Sequence, residues 1–289
     1  MDLCDINQIK ALLAAHGFHF SKAKGQNFLT QGWVPARIAE ESGVDESCGV
    51  LEVGPGIGCL TNELSSRAGK VLSVELDKSL RPVLGETLSH CDNVEIVFSD
   101  VLKLNIPQLV EEKMPGMKYA VCANLPYNVT SPLLTAFIDA GCFEHITVMI
   151  QREVAKRICA APNTADYGAF GIFVQWHMDT ELLFDVPPSC FIPQPKVTSS
   201  VIRLTRREKH PAEVKDEKLM FRIIRAAFNQ RRKTLVNAIG SQLGGISKEQ
   251  AAQAIVDCGY DTRIRGEVLD IVGFAKISDK LTDIIADNL

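Results

Sequence analysis

Several clusters in this 289-residue chain combine residue types and spacings that suit a nucleotide. Leu51-Glu52-Val53-Gly54-Pro55-Gly56-Ile57-Gly58 is an apolar run that passes into three glycines at alternate positions. It reads as a buried strand ending in a tight turn, where glycine lets the backbone approach a ligand and the following helix offers unpaired N–H groups. A plain turn satisfies the same pattern. A second apolar run, 70 to 76, carries Glu75 at its carboxyl end, where a parallel sheet sets it beside that turn. An acid in this place accepts both hydroxyls of a ribose. The spacing G-x-G-x-G behind an acid, in place of G-x-G-x-x-G, favours S-adenosylmethionine over a nicotinamide dinucleotide. After a third run, Asp100 brings another acid to the same edge, and it reads equally as a ligand contact or as an N-cap.

A fourth run ends in Asn124-Leu125-Pro126-Tyr127. This resembles the N/D-P-P-Y loops of methyltransferases that modify exocyclic amines of nucleic-acid bases. An amide oxygen and backbone carbonyls accept hydrogen bonds from an adenine amine, an aromatic ring stacks on the base, and proline stiffens the loop while removing a competing donor. Further on, Val186-Pro187-Pro188-Ser189-Cys190-Phe191-Ile192-Pro193-Gln194-Pro195-Lys196-Val197 is too apolar and too rich in proline for a flexible linker. Phe191 is a candidate for the second wall of a base pocket.

The elements that must hold these residues alternate. Strands are expected at 49 to 53, 70 to 75, 94 to 98, 119 to 123 and 145 to 150, with helical patterns at 35 to 42, 59 to 67, 79 to 89, 107 to 113 and 131 to 140. Alternation of this kind implies an α/β fold with a doubly wound, mostly parallel sheet. Two more strand-like stretches, 181 to 186 and 199 to 204, flank the proline-rich loop. A short helix over 6 to 16 leads into Lys22-Ala23-Lys24-Gly25-Gln26-Asn27-Phe28-Leu29, read as a lid or as an arm packed on the domain. The aromatics of 167 to 177 are read as core. Beyond residue 207 the pattern is wholly helical. Ser247 begins a capping box and Asp270 is placed to cap the last helix. The division expected is a domain over 1–207, with 1–30 as its arm, and a smaller helical domain over 208–289.

Hydrophobic residues make up 46% of the chain, enough for two cores. No apolar run reaches membrane-spanning length, and the first thirty residues lack a basic segment followed by an apolar one, so a cytoplasmic protein is expected. Nine cysteines without a C-x-x-C pair fit reduced thiols and neither a disulfide frame nor a metal site. The net charge of -4 excludes a uniformly basic nucleic-acid binder, yet residues 196 to 235 hold twelve lysines and arginines against four acids, a local +8. A helix near 216 to 228, continued through Asn229, would gather Arg222, Arg225 and Arg232 on one face. Such a face suits a polyanion; pairing with Glu213, Asp216 or Glu217 would instead leave it only solvated.

Taken together, Gly25-Gln26-Asn27-Phe28-Leu29, the glycine run, Asn124-Leu125-Pro126-Tyr127, Phe191-Ile192-Pro193-Gln194-Pro195-Lys196-Val197 and Gln230-Arg231-Arg232-Lys233-Thr234-Leu235 resemble the ribosomal RNA adenine dimethyltransferase family over nearly the whole chain. Arg265-Gly266-Glu267-Val268-Leu269 resembles its small-subunit branch. The resemblance implies a Rossmann-like methyltransferase sheet and an S-adenosylmethionine-dependent enzyme, a monomer that needs no metal. It would dimethylate two adjacent adenosines in the 3′-terminal hairpin of 16S rRNA in the immature small ribosomal subunit. It further implies that Asn27, Leu29, Gly54, Glu75, Asp100 and Asn124 contact the donor and that Asn124, Leu125, Tyr127 and Phe191 handle the adenine; from the local charge, Arg222, Arg225, Arg231, Arg232 and Lys233 are expected to face RNA. Two positions depart from the family: Lys24 stands in place of an apolar residue, and Gly266 in place of alanine or proline. A noncatalytic RNA-binding factor on the same fold, and a large-subunit rRNA or DNA adenine methyltransferase, are the competing readings.

Overall fold

A computed structural model describes residues 1–18 and 26–286. Lys24, with half of the expected lid (22–25), lies outside them. The apolar runs read from the sequence become strands because each is bounded by glycine or polar turns and is rich in residues that pack on a pleated surface. In chain order the elements begin with α1 (Ile6–Ala15), β1 (Phe28–Leu29), α2 (Trp33–Glu41), β2 (Cys48–Val53), α3 (Cys59–Ser65) and β3 (Lys70–Glu75). There follow α4 (Arg81–Thr87), β4 (Val94–Phe98), α5 (Ile106–Lys113), β5 (Lys118–Asn124), α6 (Thr130–Ala140) and β6 (Phe143–Gln151). Next come α7 (Arg152–Ile158), α8 (Ala169–His177), β7 (Met178–Val186), β8 (Phe191–Ile192) and β9 (Ser199–Arg206). The chain closes with α9 (Glu217–Asn229), α10 (Leu235–Gln242), α11 (Lys248–Asp257) and α12 (Ile271–Ala286).

The main sheet has the order β4-β3-β2-β5-β6-β9-β7. From β4 to β6 each neighbouring pair is parallel, and β9 runs antiparallel to β6. The fold is thus a mostly parallel, Rossmann-like sheet flanked by helices, with a helical region toward the C-terminus. The winding reverses between β2 and β5: β3 and β4 are laid to one side, β5 and β6 to the other. At such a reversal the loops leaving the strands' carboxyl ends diverge and open a crevice. Val53, Glu75 and Asn124 are the last residues of β2, β3 and β5 and therefore share that edge. A separate antiparallel ladder of two residue pairs, Phe28 with Ile192 and Leu29 with Phe191, joins β1 to β8.

The chain divides into two units. The first comprises Met1–Ala155 and Asp179–Arg206, the second Lys156–Met178 and Arg207–Leu289. The expected division therefore needs one correction, because residues 156 to 178 belong with the helical unit. The reason is packing: Tyr167, Ile172 and Trp176 are buried in one cluster with Leu219, Ile223, Leu235, Ile255, Phe274 and Leu281. The Tyr167 hydroxyl also donates to the Leu269 carbonyl at 2.9 Å. Helix starts in this unit follow the expected caps. Ser247 and Gln250 form the reciprocal box at α11, and Asp270 accepts from the Gly273 N–H at 2.7 Å ahead of the second turn of α12. Gly266 is explained by its neighbour, since a Cβ there would lie 2.4 Å from the Ala227 Cβ.

Candidate functional site

The glycine turn is built as its spacing requires. Gly54, Gly56 and Gly58 all have positive φ, at 73°, 61° and 94°, a region that side chains rarely occupy. Gly56 is also close to its cover: a Cβ there would meet the Phe28 ring at 3.2 Å. The turn lines a cavity shared with Gln26, Asn27, Leu29, Glu75, Leu76, Asp100, Leu102, Asn124, Leu125 and Tyr127. All the expected donor residues, and all the expected base residues except Phe191, thus converge on one crevice within the first unit.

Glu75 is buried, and its carboxylate accepts from the Asp77 N–H at 2.7 Å and from the Gly56 N–H. Burial raises its pKa above the usual carboxylate range, and those backbone hydrogen bonds oppose the rise. The acid is therefore tied to the glycine turn whose ligand it is expected to hold. Asp100 keeps both roles open to it at once: Oδ1 caps the following turn through the Leu102 N–H at 3.1 Å, and the residue still lines the cavity. Leu76 and Leu102 are 60% and 43% exposed, unusual for leucines, and both face this crevice. They leave apolar surface open to the crevice. The sequence signal for Leu76 was available, an apolar residue directly after the acid that ends a strand.

Asn124 ends β5, and its Nδ2 donates to the Asn27 carbonyl at 3.5 Å, which points the other end of the amide, an acceptor, elsewhere in the cavity. The Leu125 side chain is buried and its N–H donates to the Met149 carbonyl at 3.1 Å, so the loop is pinned to β6. Tyr127 is half-buried, and its hydroxyl shares a 2.5 Å hydrogen bond with the Ser199 hydroxyl. Burial raises the phenol's pKa, against that hydrogen bond. Ser199 was not singled out in the sequence; nothing local distinguishes it from Ser200 beside it.

Phe191 departs from expectation. It is 2% exposed, packs in the sheet core with Cys122, Met149 and Val201, and does not line the cavity. It pairs with Leu29 across the short ladder and so backs the wall of the cavity from behind. As a buried ring it has no open face on which a base can stack.

Glu52, the acid ahead of the glycines, is completely buried under the turn. Thr61 and Ser73 donate hydroxyl hydrogens to its Oε2 at 2.7 and 2.6 Å. Burial dominates these bonds and pushes its pKa up to about 7. Its partners lie in α3 and β3, out of reach of any local reading of the sequence.

In the second unit α9 ends at Asn229, followed by Gln230 in a non-helical conformation. Arg222 and Arg225 do share an exposed helical face, whereas Arg232 sits beyond the helix in the turn before α10. Among the described residues none of these three is in an ion pair; Lys233 is likewise exposed. Arg231 is different. Its guanidinium donates to the Glu267 carboxylate at 2.7 Å and to the carbonyls of Ala165 and Thr164 at 2.7 and 2.8 Å. Those bonds staple three segments of the unit together and correct the expectation that Arg231 faces RNA.

Among the described residues no helix is long and apolar enough to cross a membrane. Residues 17–264 match the family model described as ribosomal RNA adenine dimethylase. A Streptococcus gordonii protein called ribosomal RNA small subunit methyltransferase A is 41% identical over 285 residues, covering 97% of this chain and 98% of its own. A Shouchella clausii protein of the same name is 44% identical, with 97% and 96% covered. Among solved structures, the 23S rRNA methyltransferase ErmE aligns with a TM-score of 0.68 at 26% identity, covering 88% of this chain and 99% of that one. A dimethyladenosine transferase from Plasmodium falciparum, at 23% identity and a TM-score of 0.73, covers 86% and 95% and shares the fold.

Proposed function

Since the chain belongs to the ribosomal RNA adenine dimethylase family and is an S-adenosylmethionine-dependent methyltransferase, we propose that it dimethylates N6 of two adjacent adenosines in the 3′-terminal hairpin of 16S rRNA. On this reading it acts as a monomer, in the cytoplasm, on the immature small ribosomal subunit. The observation that carries the proposal is the meeting of Gly54, Glu75, Asp100 and Asn124 with Tyr127 in one crevice at the switch point of the sheet.

The residues fit S-adenosylmethionine. Glu75, held by the Gly56 and Asp77 N–H groups, has the chemistry to accept ribose hydroxyls. Leu76 and Leu102 offer apolar surface to the adenine, Asp100 an acceptor for its amine, and Asn27, Leu29 and Gly54 close the remaining wall. When bound, the donor supplies an electrophilic methyl carbon on a sulfonium.

The substrate amine is a poor nucleophile because its lone pair is delocalised into the adenine ring. Asn124 Oδ1 and the Leu125 carbonyl accept its two N–H bonds, which draws the lone pair out of conjugation and aims it. Tyr127 stacks on a base taken out of its helix, with its ring steadied by the Ser199 hydroxyl. Positioning supplies most of the acceleration, with no strongly basic side chain required. Arg222, Arg225, Arg232 and Lys233 contribute charge toward phosphates. The test is incubation with labelled S-adenosylmethionine and undermethylated small subunits, large subunits or duplex DNA, followed by mapping of the product. Label on two adjacent adenosines of the small-subunit RNA is expected. Label confined to large subunits or DNA, or none at all, would refute the assignment.

A further inference from the structure

Asp77 stands two residues beyond Glu75, does not itself line the donor crevice, and yet is only 4% exposed. A carboxylate is buried at little cost only when its oxygens are bonded, and both oxygens of Asp77 are. Oδ1 accepts from the Ser79 N–H at 3.1 Å and from the Ser79 hydroxyl at 2.7 Å, which caps the turn at Lys78–Leu80. Capping leaves Oδ2 unexplained. That oxygen accepts from Gln26 Nε2 at 2.8 Å, across 51 residues of chain. We propose that Asp77 is a positioning residue: it latches the segment 26–29 in place at the donor site and so sets the affinity of the crevice for S-adenosylmethionine.

The latch joins two parts of the crevice that the chain brings from far apart. The Asp77 N–H donates to Glu75 Oε1 at 2.7 Å, so the residue that aims the acid after β3 also holds the wall that begins at Gln26. Gln26, Asn27, Phe28 and Leu29 all line the crevice. The same segment sets the Phe28 ring 3.2 Å from where a Cβ on Gly56 would lie, and it offers the Asn27 carbonyl to the Asn124 amide at 3.5 Å. Its far end is held by the two-pair ladder to β8 and by burial of Phe28 and Leu29. Its beginning is tied at Gln26.

A carboxylate only accepts, so the Gln26 amide turns its nitrogen to Asp77. A segment held before the donor arrives presents a formed wall to it. Once released, the segment spends part of its time elsewhere, and the apparent affinity falls by the fraction of chains in which the wall is still formed. Saturating donor draws that population back, so turnover measured at saturation is spared. The inference rests on the donor site proposed above, and the two fail separately. A native chain that does not bind S-adenosylmethionine removes the site; a native chain that binds it no better than the variants below removes only the latch.

The test is a double-mutant cycle on the full-length chain, read by calorimetry with S-adenosylmethionine and by amide hydrogen exchange of the donor-free chain over residues 26–30. Gln26→Glu sets one carboxylate against another and should weaken donor affinity about tenfold, the loss expected when on the order of a tenth of the chains keep the wall formed. Asp77→Asn in that background again sets a donor opposite an acceptor and should recover most of the loss. Gln26→Ala should weaken affinity in the same direction with no change of charge, and there Asp77→Asn should recover nothing. Exchange over 26–30 should quicken in both single variants at Gln26 and slow again when Gln26→Glu is combined with Asp77→Asn. With undermethylated small subunits as substrate, the donor KM should rise as affinity falls, while kcat at saturating donor stays near the native value. Equal donor affinity in the native chain and Gln26→Ala would overturn the latch. So would recovery by Asp77→Asn in both backgrounds alike, or a kcat that falls at an unchanged donor KM. Gln26→Ala only removes atoms, so the test stands even if the charged variant folds poorly.

Discussion

In the crevice at the sheet edge, Glu75, Asp100 and Asn124 each already hold a hydrogen bond within the chain, while Arg222, Arg225 and Arg232 of the helical unit stand exposed without an ion partner among the described residues. The first arrangement fixes direction. A carboxylate anchored by backbone N–H groups, or an amide turned by a carbonyl, presents its remaining acceptor along one line, as a positioned reaction needs. The second keeps reach. Long cations on a helix surface and in a turn follow a phosphate backbone without specifying a base. Arg231, beside Arg232 in sequence, falls on the fixed side of this contrast because three acceptors surround its guanidinium. Charge in the sequence therefore does not reveal function until its partners are known.

The contrast is most exposed to failure at Asn124. Asn124→Ala should lower turnover by on the order of a hundredfold or more, as loss of a positioned polar group at a reacting atom does, with a much smaller loss of RNA affinity. Equal losses in both would make Asn124 a structural residue. Glu75→Ala should weaken donor binding by about a hundredfold, since charge-assisted bonds to two hydroxyls have no substitute in alanine. Calorimetry that finds the same affinity removes the ribose role.

Glu52 sharpens the picture of the fixed side. Its folded pKa of about 7 lies above the 4.5 of an ordinary glutamate, so the folded chain binds the proton more tightly than the unfolded one. The stability this contributes is full below about pH 4.5 and is lost as pH rises through 7, on the order of 3 kcal/mol. Denaturation curves across that window should fall for the native chain and run flatter for Glu52→Gln. A parallel decline in both would show that Glu52 does not carry it.

On the side of the exposed charges the expected effects are smaller. Arg231→Ala should cost about 1 kcal/mol of stability, seen as a lower urea midpoint, because it removes three hydrogen bonds and leaves the half-buried Glu267 carboxylate only the Arg265 guanidinium at 3.8 Å. Replacing Arg222, Arg225 and Arg232 together by glutamine should leave stability and donor affinity nearly unchanged. RNA binding should weaken at low salt, and its salt dependence should flatten by roughly one unit of slope for each phosphate that is no longer neutralised. An unaltered slope would end the role proposed for these arginines.

Most of the crevice was legible because it is made from strand ends. Val53, Glu75 and Asn124 close apolar runs, and parallel strands bring such ends to one edge whatever lies between them. The glycines needed no more than their spacing. What escaped were features set by distant partners. The aromatics of 167 to 177 read as core, but periodicity does not say which core receives an apolar face. The β1 and β8 pairing is two residues long on each strand, too short to leave a period, so Phe191 looked available when it was buried. The Ala165 and Thr164 carbonyls that engage Arg231 lie more than sixty residues away. The end of α9 at Asn229 has no glycine or proline to mark it.

That two-pair ladder bears on timing. Phe28 and Leu29 form part of the crevice wall, yet β1 is joined to β8 by only two residue pairs, while β5 and β6 are matched over six. Short ladders open at far lower free energy than the sheets beside them. Phe28 and Leu29 are both buried, so parting the wall exposes two apolar side chains as well as breaking the ladder, yet it still breaks far less than the sheet would. A product that must leave twice, once after each methyl group, would take its departure rate from the opening of that ladder, and amide hydrogen exchange at Leu29 would serve as its clock.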